Sequence, residues 1–288
     1  MAPVGSTGGR KPELALRVAS AIVLIAVTLA AAWLGGAVFA AFCAAVSALV
    51  LIEYLRIAEQ ALPAGMGRAC LMALGVVAAG WFGLGPTAAV WITAACVLGL
   101  AGWEVAVRRT FWGAAGLACT ALPFLALALL RATGPTGAQV ILLLFGLVWA
   151  TDTFAYFAGR AIGGPKLAPR ISPNKTVAGF AGGLAGAIVV GLALLAALGH
   201  GLSGGAIMLV AALSIVAQLG DLAESWMKRR FGVKDSGAII PGHGGMFDRI
   251  DGLILAAVAT WVAGGLAGGG MLVPGGAGEA LFAAFVLP

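Results

Sequence analysis

Apolar residues along this chain come in long runs separated by short polar clusters. Nine runs approach the roughly twenty residues that a helix needs to cross a bilayer core. They lie at about 15–34, 36–55, 68–83, 86–104, 112–130, 138–158, 177–198, 204–224 and 252–270. The pattern predicts an all-α, polytopic membrane protein of nine transmembrane helices with its polar groups gathered at one face. A region over 1–135 holds five spans. A second region over 136–288 holds four spans and the two long polar segments between spans. The tail Glu279–Leu287 is too short to cross and is expected at the membrane interface.

Composition agrees with this reading and removes its main competitor. Apolar residues make up 61%, charged residues 10%, and the mean hydropathy is +1.06. A soluble chain carries roughly a quarter charged residues, so a soluble domain is excluded. Glycine is abundant, 45 of 288, and in lipid small residues let helix backbones approach closely. Cys43, Cys70, Cys96 and Cys119 all fall in apolar runs without metal-ligand spacing and read as small buried hydrophobes. The first run is long enough to span and shows no cleavage site, so no removable signal peptide is expected.

Charge then orients the spans. With a cytoplasmic amino terminus, sixteen of the seventeen Lys and Arg residues fall on the cytoplasmic face and only Arg131 does not. That is the positive-inside pattern. The net charge of +6 is therefore explained by membrane insertion and anionic headgroups, and no nucleic-acid partner is expected.

Two polar segments exceed what topology requires. The stretch 225–251, SWMKRRFGVKDSGAIIPGHGGMFDRID, holds five basic residues, three acidic residues and His243, one of two histidines. Just before it, Asp221, Glu224, Ser225 and Lys228 are spaced to share one face if the eighth helix continues. A carboxylate near lipid needs a partner. Asp221 could pair with Lys228 or Arg229, or could serve a hard divalent cation, which prefers carboxylate oxygens. Asp248 and Asp251 bracket Arg249 at the start of the ninth span, where one of them could cap the helix. Gly242, Gly244 and Gly245 ahead of them permit a turn whose amide groups can approach an anion. A glycine-rich turn feeding a helix start is a phosphate seat.

The second segment is WATDTFAYFAGRAIGGPKLAPRISPNKT. Asp152, Tyr156 and Arg160 recur every four residues along the exit of the sixth span, and Asp152 could also simply pair with a nearby base. Ser172, Lys175 and Thr176 lie in SPNKT, where proline and asparagine predict a turn and lysine with hydroxyls suits a phosphate. It is not a Walker A loop, because Pro165 follows Gly164 where lysine is required. Carboxylates for a metal with basic and glycine-rich segments for phosphates point to phosphoryl or nucleotidyl transfer. A site at the membrane boundary suggests one lipid phosphate substrate and one soluble nucleotide.

These residues resemble a known signature. Ser225, Lys228, Arg229, Lys234, Asp235, Gly237, Pro241, His243, Gly244, Gly245, Asp248, Arg249 and Asp251 stand in the order and spacing of the phosphatidate cytidylyltransferase family. DTFAYFAGR and SPNKT resemble its second well-kept region, so the likeness covers roughly 149–252. The resemblance implies that CTP and phosphatidic acid give CDP-diacylglycerol and pyrophosphate with Mg²⁺, with room for a monovalent cation beside it. It implies a homodimer in a bacterial inner membrane. By analogy Asp221 and Asp248 hold the metal, and Lys228, Arg229, Lys234 and Arg249 neutralise phosphate charge. His243 donates a hydrogen bond, and Asp235 and Asp251 complete the catalytic group. Ser172, Lys175, Thr176, Ser225, Gly244, Gly245 and Asp152 would line the substrates. The competing readings are a CTP-dependent lipid kinase using similar parts and an ion-coupled transporter with Asp152 and Asp221 on its path.

Overall fold

In lipid no water satisfies a free backbone N–H or C=O, so a spanning segment must close its own hydrogen bonds. The apolar runs accordingly fold as helices in a computed structural model that describes residues 10–132, 134–242, 244–269 and 276–286. In chain order they are α1 (Arg10–Leu34), α2 (Gly36–Ala58), α3 (Met66–Leu84), α4 (Pro86–Arg108), α5 (Trp112–Arg131), α6 (Gly134–Ile162), α7 (Val177–Ala197), α8 (Gly204–Arg230), α9 (Phe247–Gly264) and α10 (Gly276–Phe285). Among the described residues nine of these are long and apolar enough to cross a membrane, and the chain is a multi-pass membrane protein. Two boundaries differ usefully from the hydropathy reading. Helix α8 runs on to Arg230 and α9 begins at Phe247, so Asp248 and Asp251 sit on regular helix, as do Asp221 and Glu224.

Helix α5 is the centre of the bundle. Its residues from Leu117 to Leu130 are largely buried, with Phe124, Leu125, Leu129 and Leu130 at most 1% exposed. Helices α1 and α4 lie outermost and keep Ile22, Val23, Trp91 and Leu98 exposed, as expected of lipid-facing surface. At the end away from the polar segments, Gly35 (φ 64°) and Gly85 (φ 93°) let α1 turn into α2 and α3 into α4 within one residue. Arg131 explains its departure from the charge rule there. Its Nε donates to the Ala32 carbonyl at 2.6 Å and its Nη2 to that of Trp33 at 2.9 Å, satisfying the exposed end of α1. The tail folds as the short helix α10. Ala277, Leu281 and Phe282 of α10 are buried in the bundle, and Ser203 Oγ ties its end through the Phe285 carbonyl at 2.7 Å.

Two glycine seams set the geometry of the opposite end. On α7, a Cβ at Gly179 would lie 2.9 Å from the Ala155 carbonyl oxygen of α6, and one at Gly183 2.9 Å from that of Thr151. On α8, a Cβ at Gly220 would lie 2.8 Å from the Asp251 carbonyl oxygen of α9. Backbones meet in van der Waals contact at both seams, as small residues allow in membranes. Between α6 and α7 the chain makes a two-stranded antiparallel ribbon, β1 (Lys166–Ala168) and β2 (Ser172–Thr176), with Lys166 opposite Thr176 and Ala168 opposite Ser172. SPNKT is therefore a strand, not the turn its proline suggested. Pro173 is tolerated because it needs to donate nothing on the open edge of a two-stranded ribbon.

Candidate active site

Helix α6 ends, α7 begins, α8 ends and α9 begins at the same end of the bundle, and a cavity of about 680 Å³ lies among them. Its wall carries four aspartates (Asp152, Asp221, Asp248 and Asp251) and three cations, Arg160, Lys175 and Arg249. The elements put them there for identifiable reasons. Thr176 caps α7 by accepting the Gly179 N–H at 3.0 Å, which fixes the end of β2 and swings Lys175 over the opening. Lys175 forms an ion pair with Asp221. The Gly220 seam brings α8 against α9, so that Asp221, Glu224 and Asp251 place carboxylate oxygens within 4.8 Å of one another.

That acidic trio is not the expected pair. Asp221 stands with Glu224 and Asp251, while Asp248 is engaged elsewhere. Asp248 Oδ1 lies 2.6 Å from Lys228 Nζ, and its Oδ2 accepts the Ser236 N–H at 3.0 Å, the Ser236 hydroxyl at 2.9 Å and the Gly245 N–H at 3.2 Å. One turn of helix separates the roles: Asp248 turns back to the loop that precedes α9, and Asp251 faces α8. Lys228 also sits 2.8 Å from Glu224 Oε2, so it joins two carboxylates. Glu224 Oε1 is buried and has no hydrogen-bond partner among the described residues. A buried carboxylate oxygen of this kind needs a cation or a donor. Three carboxylates that bring oxygens within 4.8 Å of one another, with a buried oxygen of Glu224 left without a hydrogen-bond partner, fit a hard divalent ion.

The other expected residues divide. Asp152, Lys175, Thr176 and Arg249 line the cavity. Ser225 Oγ reaches Asp221 Oδ1 at the long distance of 3.5 Å. Arg229 bridges loops, with Nη1 on the Val233 carbonyl at 3.0 Å and Nε on that of Ile171 at 3.3 Å. Ser172, Lys234 and Asp235 lie outside the cavity wall, the last two exposed. Gly244 closes a bridge with Ile240 and Gly245 packs tightly beneath the loop, so both shape the turn. His243 lies outside the described residues. Further polar groups at this end were not among the expected site residues. Tyr156 and Arg160, hydrogen-bonded at 2.9 Å, do follow the four-residue stripe from Asp152. Gln218 sits one turn before Asp221, where a polar residue inside an apolar run could have revealed it. Glu53 of α2, an isolated charge in the second span, reaches the loop from below.

A second opening meets this cavity from the side. A groove of about 440 Å³ runs between α1, α6 and α9, lined by apolar side chains including Leu24, Ile25, Trp149 and Leu253. Asp152 and Arg249 belong to both walls.

The model of the cytidylyltransferase family matches residues 15–266. A phosphatidate cytidylyltransferase of Brucella abortus biovar 1 (strain 9-941) is 41% identical over 257 residues, covering 88% of this chain and 94% of the relative. A phosphatidate cytidylyltransferase of Staphylococcus haemolyticus is 52% identical over 121 residues, 42% of this chain and 46% of the relative. One from Staphylococcus aureus (strain COL) is 50% identical over 120 residues, 41% of this chain and 46% of the relative.

Proposed function

Because the chain belongs to the cytidylyltransferase family, we propose that its cavity moves the cytidylyl group of CTP onto phosphatidate, releasing pyrophosphate and leaving CDP-diacylglycerol in the membrane. The observation that carries this reading is the junction of a polar cavity with an apolar groove at Asp152 and Arg249. A water-soluble triphosphate and a lipid must meet head to head, and this is a place where both can reach. The acyl chains lie in the groove against Leu24, Ile25 and Leu253, and the lipid phosphate meets Arg249. Arginine suits that position because its planar fork matches phosphate oxygens.

Lys175 and Arg160 face the triphosphate from β2 and the end of α6. Asp221, Glu224 and Asp251 would hold Mg²⁺, which supplies charge neutralisation for the triphosphate and the departing pyrophosphate. No side chain need act as a base, since a phosphate monoester is already mostly ionised near neutral pH. Its oxygen forms a bond to the α-phosphorus as the bond to the bridging oxygen breaks, and the electron pair leaves with pyrophosphate. The protein's part is positioning and charge. The basic residues crowded at this end support a plasma-membrane enzyme with a cytoplasmic site. A homodimer belongs to this reading through the resemblance, and native mass spectrometry in nanodiscs checks it.

The shared name of the relatives speaks against γ-phosphoryl transfer, and polar groups at one end instead of mid-membrane speak against transport. Purified protein given phosphatidate, Mg²⁺ and CTP labelled at either phosphate decides the matter. Label at the α position enters lipid and label at the γ position leaves as pyrophosphate. Lipid carrying γ label would establish the kinase instead.

A further inference from the structure

Glu53 is a carboxylate in the middle of the apolar sequence LVLIEYLR, and none of its surface is exposed. Its cost there is met entirely by a segment almost two hundred residues away. Oε1 accepts the Met246 N–H at 3.0 Å, and Oε2 accepts the Phe247 N–H at 2.9 Å. Those two N–H groups belong to the first turn of α9, which has no side-chain cap of its own. Backbone donors at a helix start are unsatisfied unless something caps them, and a negative charge there also meets the positive end of the helix dipole. Glu53 is thus the cap of α9, supplied from α2.

The contact continues into the site. Ser236 Oγ lies 3.0 Å from Glu53 Oε2 and 2.9 Å from Asp248 Oδ2. One hydroxyl proton cannot serve both at once, so Ser236 is shared between the buried glutamate and the aspartate that grips Lys228. Glu53 also explains two glycines of the signature. A Cβ at Gly237 would lie 2.6 Å from Glu53 Oε1, and one at Gly245 2.7 Å from Glu53 Oε2. The loop is glycine where it folds over this side chain.

We propose that Glu53 is a positioning residue of the transfer site: it fixes the start of α9 and the loop through Ser236, and so aims Asp248, Arg249 and Asp251. This rests on the cytidylyltransfer reading for its activity readout only. Glutamine at 53 must turn its NH₂ group toward either the Met246 or the Phe247 N–H, so one bond of the cap is lost without a change of volume.

Glu104 provides the comparison. It is equally buried and caps α5 in the same manner, accepting the Gly113 N–H at 2.9 Å and the Ala114 N–H at 3.1 Å, but it does not touch the signature loop. Glu53→Gln and Glu104→Gln are measured against the parent protein in detergent for turnover per folded molecule and for amide hydrogen exchange. We expect Glu53→Gln to lose about 10–100-fold in turnover, the range for groups that orient metal ligands. Exchange should rise over 234–251. Glu104→Gln should lower thermal stability but keep the turnover of each folded molecule. Adding Ser236→Ala to Glu53→Gln should cost less than Ser236→Ala alone, since the two act through one contact. Turnover and loop exchange unchanged in Glu53→Gln would overturn the proposal, as would an equal loss of turnover in Glu104→Gln. Should Glu53→Gln not accumulate, Ser236→Ala carries the test: raised exchange at 244–251 with reduced turnover supports the relay, and parental values for both refute it. A parent protein without cytidylyltransfer would defeat the functional reading while leaving the exchange result to judge Glu53.

Discussion

Lys228 has two carboxylates within hydrogen-bonding distance, Glu224 and Asp248, and its side chain is only 12% exposed. Removing its charge leaves both acids uncompensated in a confined space. Lys228→Met should therefore destabilise the protein by roughly 3–5 kcal/mol, the usual cost of breaking a buried pair by removing one partner. A fall in the thermal midpoint in detergent reads this, and the loss should persist without any substrate. A lysine that merely faced a phosphate would leave the unliganded midpoint unchanged. At this scale the sequence pointed to residues that come together better than it pointed to the partner each one takes. Asp221, Lys175, Arg249 and Asp251 all reach the cavity, as their spacing and the signature suggested. The partnering of Asp248 with Ser236 was hidden, because a loop's path between two helices is not encoded in any periodicity. Glu53 was hidden for a different reason: its partners are backbone amides, which leave no mark on composition.

Glycine seams decide how closely the helices meet, and they can be tested where the space is known. A methyl group at Gly220 would strike the backbone of Asp251, whereas Gly99 of α4 has nothing within 4 Å. Gly220→Ala should cost about 1–3 kcal/mol through overpacking and reduce turnover, because α9 must retreat with Asp251 attached. Gly99→Ala should be neutral or stabilising by up to about 1 kcal/mol, from helix propensity alone. Thermal midpoints of the two variants, measured side by side, check the contrast. The number of spans was legible because twenty-residue apolar runs have one solution in lipid. Which helix faces which was not legible. Glycines at three- and four-residue spacing mark α7 as a packing surface, but hydropathy does not name α6 as its neighbour. SPNKT was misread at this scale, since Pro173 carries a turn preference that an open ribbon edge overrides.

The whole molecule presents two entrances to one site, and each makes a claim. If the groove beside α1 carries acyl chains, filling it should affect only the lipid. Leu24→Trp should raise KM for phosphatidate severalfold and leave KM for CTP unchanged. An equal change in both would show that the groove is no lipid path. Orientation is tested in intact cells with a membrane-impermeant thiol reagent, starting from a protein lacking its four cysteines. Cysteine at Ala132, next to Arg131, should be labelled from outside, and cysteine at Ala238, in the loop before α9, only after lysis. The opposite pattern would reverse the topology and remove the cavity from the CTP pool.

The account depends most on the carboxylates that α8 and α9 bring together. Transfer of α-labelled phosphate from CTP into lipid should fall by at least about 100-fold in both Asp221→Ala and Asp251→Ala. Expression, elution volume and helical content should match the parent protein. Parental rates of label transfer in either variant would show that the chemistry takes place elsewhere.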